Sequence, residues 1–286
     1  MMLLPGMIML IIFSVVPMFG LVMAFQDFVP SKGIFASKFV GLHNFRLMLM
    51  FPDARQVILN TFVIAVLKII FNLITPVGFA LLLNECRTLL FKKTVQTVVY
   101  LPNFLSWVIV AVMFSNIFSY NGIVNKMLQI LGMNEPIMFM ANNDWFRPIV
   151  VLSDVWKNFG FGAIVYIAAI TGIDASICEA ANIDGASRLQ KMWYITIPGI
   201  SSTIIIMATL SLGNILNAGF DQIYNMYNPI VYRTGDILDT YVYRVGLEKL
   251  QYSFGTAVGL FKSLISFILI ALSYKLADRF AGYRIF

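Results

Sequence analysis

Apolar residues in this chain come in blocks of twenty or more, and polar positions gather between the blocks instead of alternating within them. A helix needs about 20 apolar residues to cross a bilayer core of about 30 Å. Six stretches are long enough: 2–24, 57–83, 95–118, 148–173, 199–224 and 254–274. The pattern predicts an all-α polytopic membrane protein, with six transmembrane helices forming one domain over residues 1–286.

Composition leads to the same class. Of 286 residues, 59% are hydrophobic and 12% charged, with a mean hydropathy of +0.83; soluble domains carry about 25% charged residues. The first block, MLLPGMIMLIIFSVVPMFGLVMAF, lacks the basic flank and small-residue cleavage site of a secretory signal, so it reads as a retained span. The chain begins almost directly in apolar sequence, which leaves room for a basic cytoplasmic leader ahead of Met1.

Charge sets the orientation by density, not by count. With both termini inside, the inner segments 84–94, 174–198 and 275–286 hold eight Lys/Arg in 48 residues, and the outer segments 25–56, 119–147 and 225–253 hold nine in 90. The inner charges crowd the helix ends, as at Arg87, Lys92, Lys93 and Lys275, where the positive-inside rule counts them. Both termini are therefore expected in the cytoplasm. Charges at a lipid surface also account for the pI of about 9.3 without a nucleic-acid partner. Cys86 and Cys178 fall on the inner side and read as free thiols. His43, the only histidine, allows neither a zinc set nor a His-based triad.

Polar residues inside apolar blocks are costly, and each is a site hypothesis by default. In LPNFLSW (101–107), Pro102 should break the helical bonding and free a carbonyl. Asn103 and Trp107, at i and i+4, are expected to share a helix face, as a packing seam or as a ligand-facing wall. In the fourth block Asp154, Asn158 and Phe161 make one stripe with Trp156 and Lys157 beside it, although Asp154 and Lys157 could simply neutralise each other. In the fifth, Asn214, Asn217 and Asp221 repeat the pattern at i, i+3 and i+7. Amides and rings with little net charge suit a hydroxyl-rich ligand such as a sugar better than an ion. Lys262 in the sixth block is expected to snorkel or to meet a carboxylate such as Asp221 or Asp154. Residues 119–147 suggest a short amphipathic surface helix, and the Tyr-rich 225–253 an interfacial belt or a partner platform. GTAVGLFKS (255–263) is not a phosphate loop, because Leu260 and Phe261 separate Gly259 from Lys262. ATP, if used, is bound by another chain.

The segment 174–198 is too patterned for a connector. Ile177–Ile183 forms helix well, Asp184 is placed to cap a second helix starting at Ala186, and Gly185 permits the change of direction. Leu189, Met192 and Trp193 recur at helical spacing, and Pro198 marks re-entry into the membrane. Small residues at Ala180, Ala181 and Ala186 allow close approach.

At these residues the chain resembles a known family. Glu179-Ala180-Ala181, Asp184-Gly185-Ala186, Ile195 and Ile197-Pro198 match the EAA signature of membrane permeases of bacterial ABC importers; Ser202 departs from it, standing where many members carry a second proline. VGLHNF, LLLNE, YLPNFLSW, GFDQIYNMYNP, DTYVYRVGL and AVGLFKS look like the carbohydrate-importing, maltose-transporter-like lineage, especially its polysaccharide and complex-oligosaccharide branch. The resemblance implies a type I ABC importer permease fold in the bacterial cytoplasmic membrane. It implies that 174–198 is a coupling segment, with Glu179, Ala180, Ala181, Asp184, Gly185, Ala186 and Pro198 serving contact with an ATPase. Implied partners are a second, different permease, two ATPase subunits that hold ATP and Mg, an extracytoplasmic solute-binding protein and a saccharide, with no cofactor in this chain. The implied sugar-facing wall includes Asp154, Trp156, Asn158, Phe161 and Asn214. Two alternatives stay open. One is a permease for a phosphorylated polyol or an amino acid, although a phosphate would ask for more basic residues than Lys157 on the polar stripes. The other is a stand-alone ion-coupled secondary transporter, which the lack of an internal repeat disfavours.

Overall fold

The structure, a computed structural model, describes residues 3–213 and 215–281. Among them four helices are long and apolar enough to cross a membrane: α1 (Leu4–Phe25), α3 (Pro52–Asn84), α7 (Asn143–Thr171) and α13 (Tyr252–Ala281, apolar through Leu272). The number rises to six if two bent pairs each count as one span. The first pair is α4 (Leu89–Phe104) with α5 (Trp107–Ile117), bent by 104°. The second is α9 (Arg188–Gly199) with α10 (Ser201–Leu212), bent by 57°.

Both bends have local causes. Across Leu101–Phe104 the helix tightens into a 3-10 turn containing Pro102, Leu105 is extended, and the Ser106 hydroxyl accepts the Ile109 N–H to start α5 afresh. Asn103 and Trp107 therefore do not share a helix face, contrary to the expectation. The fifth block breaks again after Leu212. The helix resumes only at α11 (Phe220–Met226), entered through Gly219 at φ +91°. The continuous stripe expected from Asn214, Asn217 and Asp221 is thus interrupted, and Asn214 lies outside the described residues.

The chain forms two compact units, Met1–Thr61 with Asp236–Phe267, and Phe62–Gly235 with the residues from Ile268 on. In the first, α1 presents its apolar side chains outward, which costs nothing against lipid tails that are equally apolar. A short antiparallel pair, β1 (Gln26–Asp27) and β2 (Lys38–Phe39), leads into α2 (His43–Met50). Met48, Ala54, Val57, Leu238, Tyr241, Val245, Phe254 and Val258 make its core. Of the expected outer belt, the stretch from Asp236 to Gly246 is largely interior, while Leu247 to Gln251 are exposed. Ile237, Leu238 and Thr240 are fully buried, the Asn60 amide donates to the Asp236 carbonyl (3.0 Å), and the Leu238 N–H donates to the Thr61 hydroxyl (2.9 Å). The turn of helix Leu238–Val242, α12, continues as a wider turn through Tyr243–Glu248. It doubles back at Leu250 (φ 57°) along α13, where a Cβ on Gly255 would stand 2.7 Å from the Gly246 Cα. Arg244 pairs with buried Asp236. Lys262 pairs with Asp239 at 2.5 Å, not with Asp221 or Asp154.

In the second unit α7 starts from Asn142, whose side chain accepts the Asp144 N–H, and carries most of the packing. Its Ala163, Tyr166 and Ile170 join Ala80 and Leu81 of α3 and Ile200 in one core. Gly160 lies directly under the Val99 carbonyl, so α4 and α7 meet where only a hydrogen side chain fits. The surface helix expected in 119–147 is α6 (Ile123–Ile130). Buried Asn125 pins it to the Ile137 backbone (2.9 Å both ways), while Ile123, Met127 and Ile130 point outward.

Candidate functional site

The apolar blocks conceal two polar cavities and a folded hairpin, all in the second unit. One cavity, of about 300 Å³, is lined by Lys68 and Asn72 of α3, Asp154 of α7, and Ser211, Asn217 and Gly219 on either side of the break in the fifth block. Asp154 is bound on both oxygens: Lys68 Nζ stands 3.2 Å from one, and Asn72 Nδ2 donates to the other at 2.7 Å. Its ionic partner is therefore Lys68, and Lys157 is engaged elsewhere. Lys68 also donates to the Ala218 carbonyl (2.6 Å) and to Gln222 Oε1, and Gln222 Nε2 donates to the Val150 carbonyl (2.6 Å) and the Ser153 hydroxyl (2.7 Å). A charged pair in an apolar interior persists only when its remaining donors and acceptors are met in this way. Sequence patterns single out neither Lys68 nor Ser153, and Gln222 only as a polar residue that follows Asp221. The available signal was Lys68 and Asn72 at i and i+4 in the middle of an otherwise apolar block.

The second cavity, of about 380 Å³, is lined by Leu105, Ser106, Trp107, Val108, Lys157, Asp221 and Asn225. Lys157 Nζ donates to the Asn103 carbonyl (2.5 Å) and reaches the Pro102 carbonyl (3.4 Å), the groups released by the break at Pro102. It also sits 5.5 Å from the Trp107 ring centroid. Asn103 Nδ2 donates to Asn158 Oδ1 (3.2 Å), which joins α4 to α7. The predicted stripe on α7 therefore divides. Asp154 and Asn158 are held by protein partners, Trp156 packs edge-on against Phe114 (5.7 Å), and Phe161 is half exposed and lines neither cavity. Of the expected path residues, Asn217 and Asp221 combine an exposed side chain with a place in a cavity wall.

The hairpin is built from short-range bonds. Helix α8 (Ala175–Ile183) is capped by Asp174, whose carboxylate accepts the Ser176 N–H at 2.9 Å; the Ser176 donors hold that carboxyl below the ordinary carboxylate range. Its end is a Schellman turn: Ala186 N–H to the Ala181 carbonyl (2.9 Å), Gly185 N–H to the Asn182 carbonyl (3.2 Å), and Gly185 at φ +77°. Asp184 thus closes the first helix and does not cap the second. The second starts at Arg188 from Ser187, which forms a reciprocal capping box with Gln190. Lys191 Nζ ties back to Asn182 Oδ1 (2.7 Å). Pro198 lies in the last turn of α9, just before the bend, and Ser202 lies in the first turn of α10.

Glu179, Ala180, Asp184 and Gly185 are exposed, and Ala181 and Ala186 half-buried. Ala181, Asp184, Gly185, Ala186, Gln190, Lys191 and Tyr194 line a shallow hollow of about 350 Å³. Around it Ile183, Leu189, Trp193 and Tyr194 are 87%, 64%, 64% and 79% exposed, whereas Met192 packs inward against the core. Large apolar side chains gathered on a polar segment make the kind of surface that another protein covers.

Spanning helices broken around polar cavities, together with an exposed preformed hairpin, define a membrane-embedded transport subunit. The model of the family of binding-protein-dependent transport system inner membrane components matches residues 77–282, and this chain belongs to that family. Its relatives include the polygalacturonan/rhamnogalacturonan transport system permease protein YteP of Bacillus subtilis (strain 168). That protein is 42% identical over 286 residues, which is 100% of this chain and 89% of YteP. Protein LplB of the same organism is 41% identical over 279 residues, 97% of this chain and 87% of LplB. Among solved structures, a bacterial ABC transporter involved in the import of the acidic polysaccharide alginate superposes with a TM-score of 0.88 at 37% identity, covering 98% of this chain and 94% of that one. The bacterial alginate ABC transporter in complex with an alginate pentasaccharide-bound periplasmic protein matches at 0.88 and 36%, covering 97% and 93%. The fold is that of a type I ABC importer permease.

Proposed function

We propose that this chain is one permease subunit of an ATP-driven importer of oligosaccharides, taking its substrate from an extracytoplasmic solute-binding protein. The observation that carries this reading is the match to the alginate importer over nearly the whole chain, with the EAA residues standing exposed on a preformed hairpin at 174–198. Both termini lie in the cytoplasm, and so does the hairpin, where it meets an ATPase. Two ATPase subunits hold ATP and Mg, and a second, different permease completes the membrane part. When ATP closes the ATPase pair, the seated hairpins draw together, and the spans rock from inward-facing to outward-facing around a central path. Asn217, Asp221 and Trp107 face that path, a combination of amide, carboxylate and ring that suits hydroxyl-rich rings. Glu179, Asp184 and Gly185 shape the contact with the ATPase, and Ala180, Ala181 and Ala186 let it approach closely.

The test is reconstitution of the chain with its genomic neighbours in proteoliposomes. Oligosaccharide uptake is expected only with ATP on the ATPase side and loaded binding protein on the other. Uptake by the lone chain without ATP would overturn the reading in favour of an ion-coupled transporter. Uptake of a phosphorylated polyol or an amino acid in preference to saccharides would overturn its substrate.

A further inference from the structure

The proposed path contains a lysine for which nothing so far gives a role beyond neutralising Asp154. Its surroundings ask for more. Gly219 stands at φ +91°, and a Cβ there would lie 2.9 Å from Lys68 Nζ, so glycine is what lets the ammonium reach the turn. The ammonium has three partners: it donates to the Ala218 carbonyl (2.6 Å) and to Gln222 Oε1, and is ion-paired with Asp154 (3.2 Å). Two of these partners flank Gly219, Ala218 on the non-helical stretch and Gln222 in the first turn of α11. The third, Asp154, is held by Asn72 from the helix that carries Lys68 itself. Non-helical backbone in a membrane persists only where its polar groups are satisfied from elsewhere, and here α3 supplies the donor. Asn217 is the residue just before the anchored carbonyl and exposes its side chain to the 300 Å³ cavity.

We infer that Lys68 is a positioning residue: it holds the fifth span open at 215–219 and thereby presents Asn217 to the substrate path. Asp154 serves as its counter-ion and is not a sugar ligand. The inference rests on the reading of this cavity as part of a saccharide path, but its first readout does not.

That readout uses the assembled transporter with Cys86 and Cys178 replaced by Ser and with Asn217→Cys, labelled by a membrane-impermeant maleimide. Removing the pair together, K68M/D154N, leaves no lone buried charge, so folded yield is retained while the anchor is lost. D154N leaves the ammonium without its counter-ion and lowers the yield of folded transporter, but in the folded fraction Lys68 still holds Ala218; there the labelling rate at position 217 is expected to stay at the parent rate, against a several-fold change in K68M/D154N. The second readout is transport with Asn217 intact. K68M/D154N should raise the KM for saccharide about tenfold or more, and D154N by no more than about twofold, the former being roughly 1.4 kcal/mol at 25 °C. Unchanged labelling and an unchanged KM in K68M/D154N would reduce Lys68 to a counter-ion and overturn the inference. Altered labelling in a transporter that carries no saccharide would support the anchor and overturn the functional reading alone.

Discussion

The hairpin at 174–198 and the polar cluster around Lys68 are both polar regions in an apolar chain, and they are stabilised in opposite ways. The hydrogen bonds that shape the hairpin join residues within nine positions of each other, an exposed Arg188–Glu85 pair (3.9 Å) adds a tie to the residue just after α3, and its surface is left open, with Ile183 at 87% and Tyr194 at 79% exposure. The cluster joins residues 69 to 154 positions apart, and its charged atoms have their partners already. The difference separates two ways of putting polarity to work. A surface that waits for a partner can be folded by local rules alone. Charge inside the span must be paired before any ligand arrives, because unpaired charge there costs more than the fold can absorb, whereas the neutral Asn72 Oδ1 is left buried without a hydrogen-bond partner.

The contrast breaks most sharply if one member of the buried pair is removed. Asp154→Leu leaves the Lys68 ammonium without its counter-ion and should cost about 3–5 kcal/mol, seen as loss of folded transporter in detergent. K68M/D154L should recover most of that loss, since replacing both charges by apolar groups is often close to neutral. If the double variant is no more stable than the single one, the pair is not the source of the cost. Next in size is the α4–α7 contact. Gly160→Val would drive two methyls into the Val99 carbonyl and should destabilise by about 1–3 kcal/mol through overpacking, read as a lower unfolding temperature.

For the hairpin the expected effects are smaller in stability and larger in coupling. Gly185→Val places a β-branched residue at φ +77°, a strain of about 1–2 kcal/mol confined to an exposed turn. The folded yield should fall little, while ATP hydrolysis should lose its response to loaded binding protein. A variant whose ATPase still responds normally would remove the hairpin from the coupling role.

How far each region could be read from residues alone follows the same division. Helix, turn and helix between 175 and 191 were legible because Gly185 and the small-residue pattern act within a few positions; the one error was to give Asp184 the cap that Ser187 provides. The six apolar blocks were legible because bilayer thickness dictates their length. Of the two breaks, Pro102 announced the one near Leu105 as a kink, though not the size of its 104° bend, and the one after Leu212 was hidden, since hydropathy averages over a window and masks a few non-helical residues. Their satisfaction depends on Lys157, some 54 residues from Asn103, and on Lys68, 150 from Ala218. Asp154 was rightly singled out as costly, yet its partner sits on another helix, a pairing that helical spacing within one segment cannot reveal.

The smallest effect concerns the first cap of the hairpin and its dependence on pH. The Asp174 carboxylate accepts the Ser176 N–H, and its affinity for protons is lowered in the folded state. A depressed folded-state value means that the unfolded chain binds the proton more readily. The stabilisation from this cap is therefore fully present above the ordinary carboxylate range and is lost as the pH falls through the lower, folded value. Asp174→Asn keeps a capping oxygen but cannot titrate. Protection of the amides of residues 176–178 in the assembled transporter, taken relative to the intrinsic exchange rate at each pH, should fall on acidification in the parent and stay flat in D174N, while D174A should be poorly protected at every pH. If D174A matches the parent at neutral pH, α8 does not depend on this cap, and the hairpin draws its order from contacts with the ATPase instead of from its own short-range bonds.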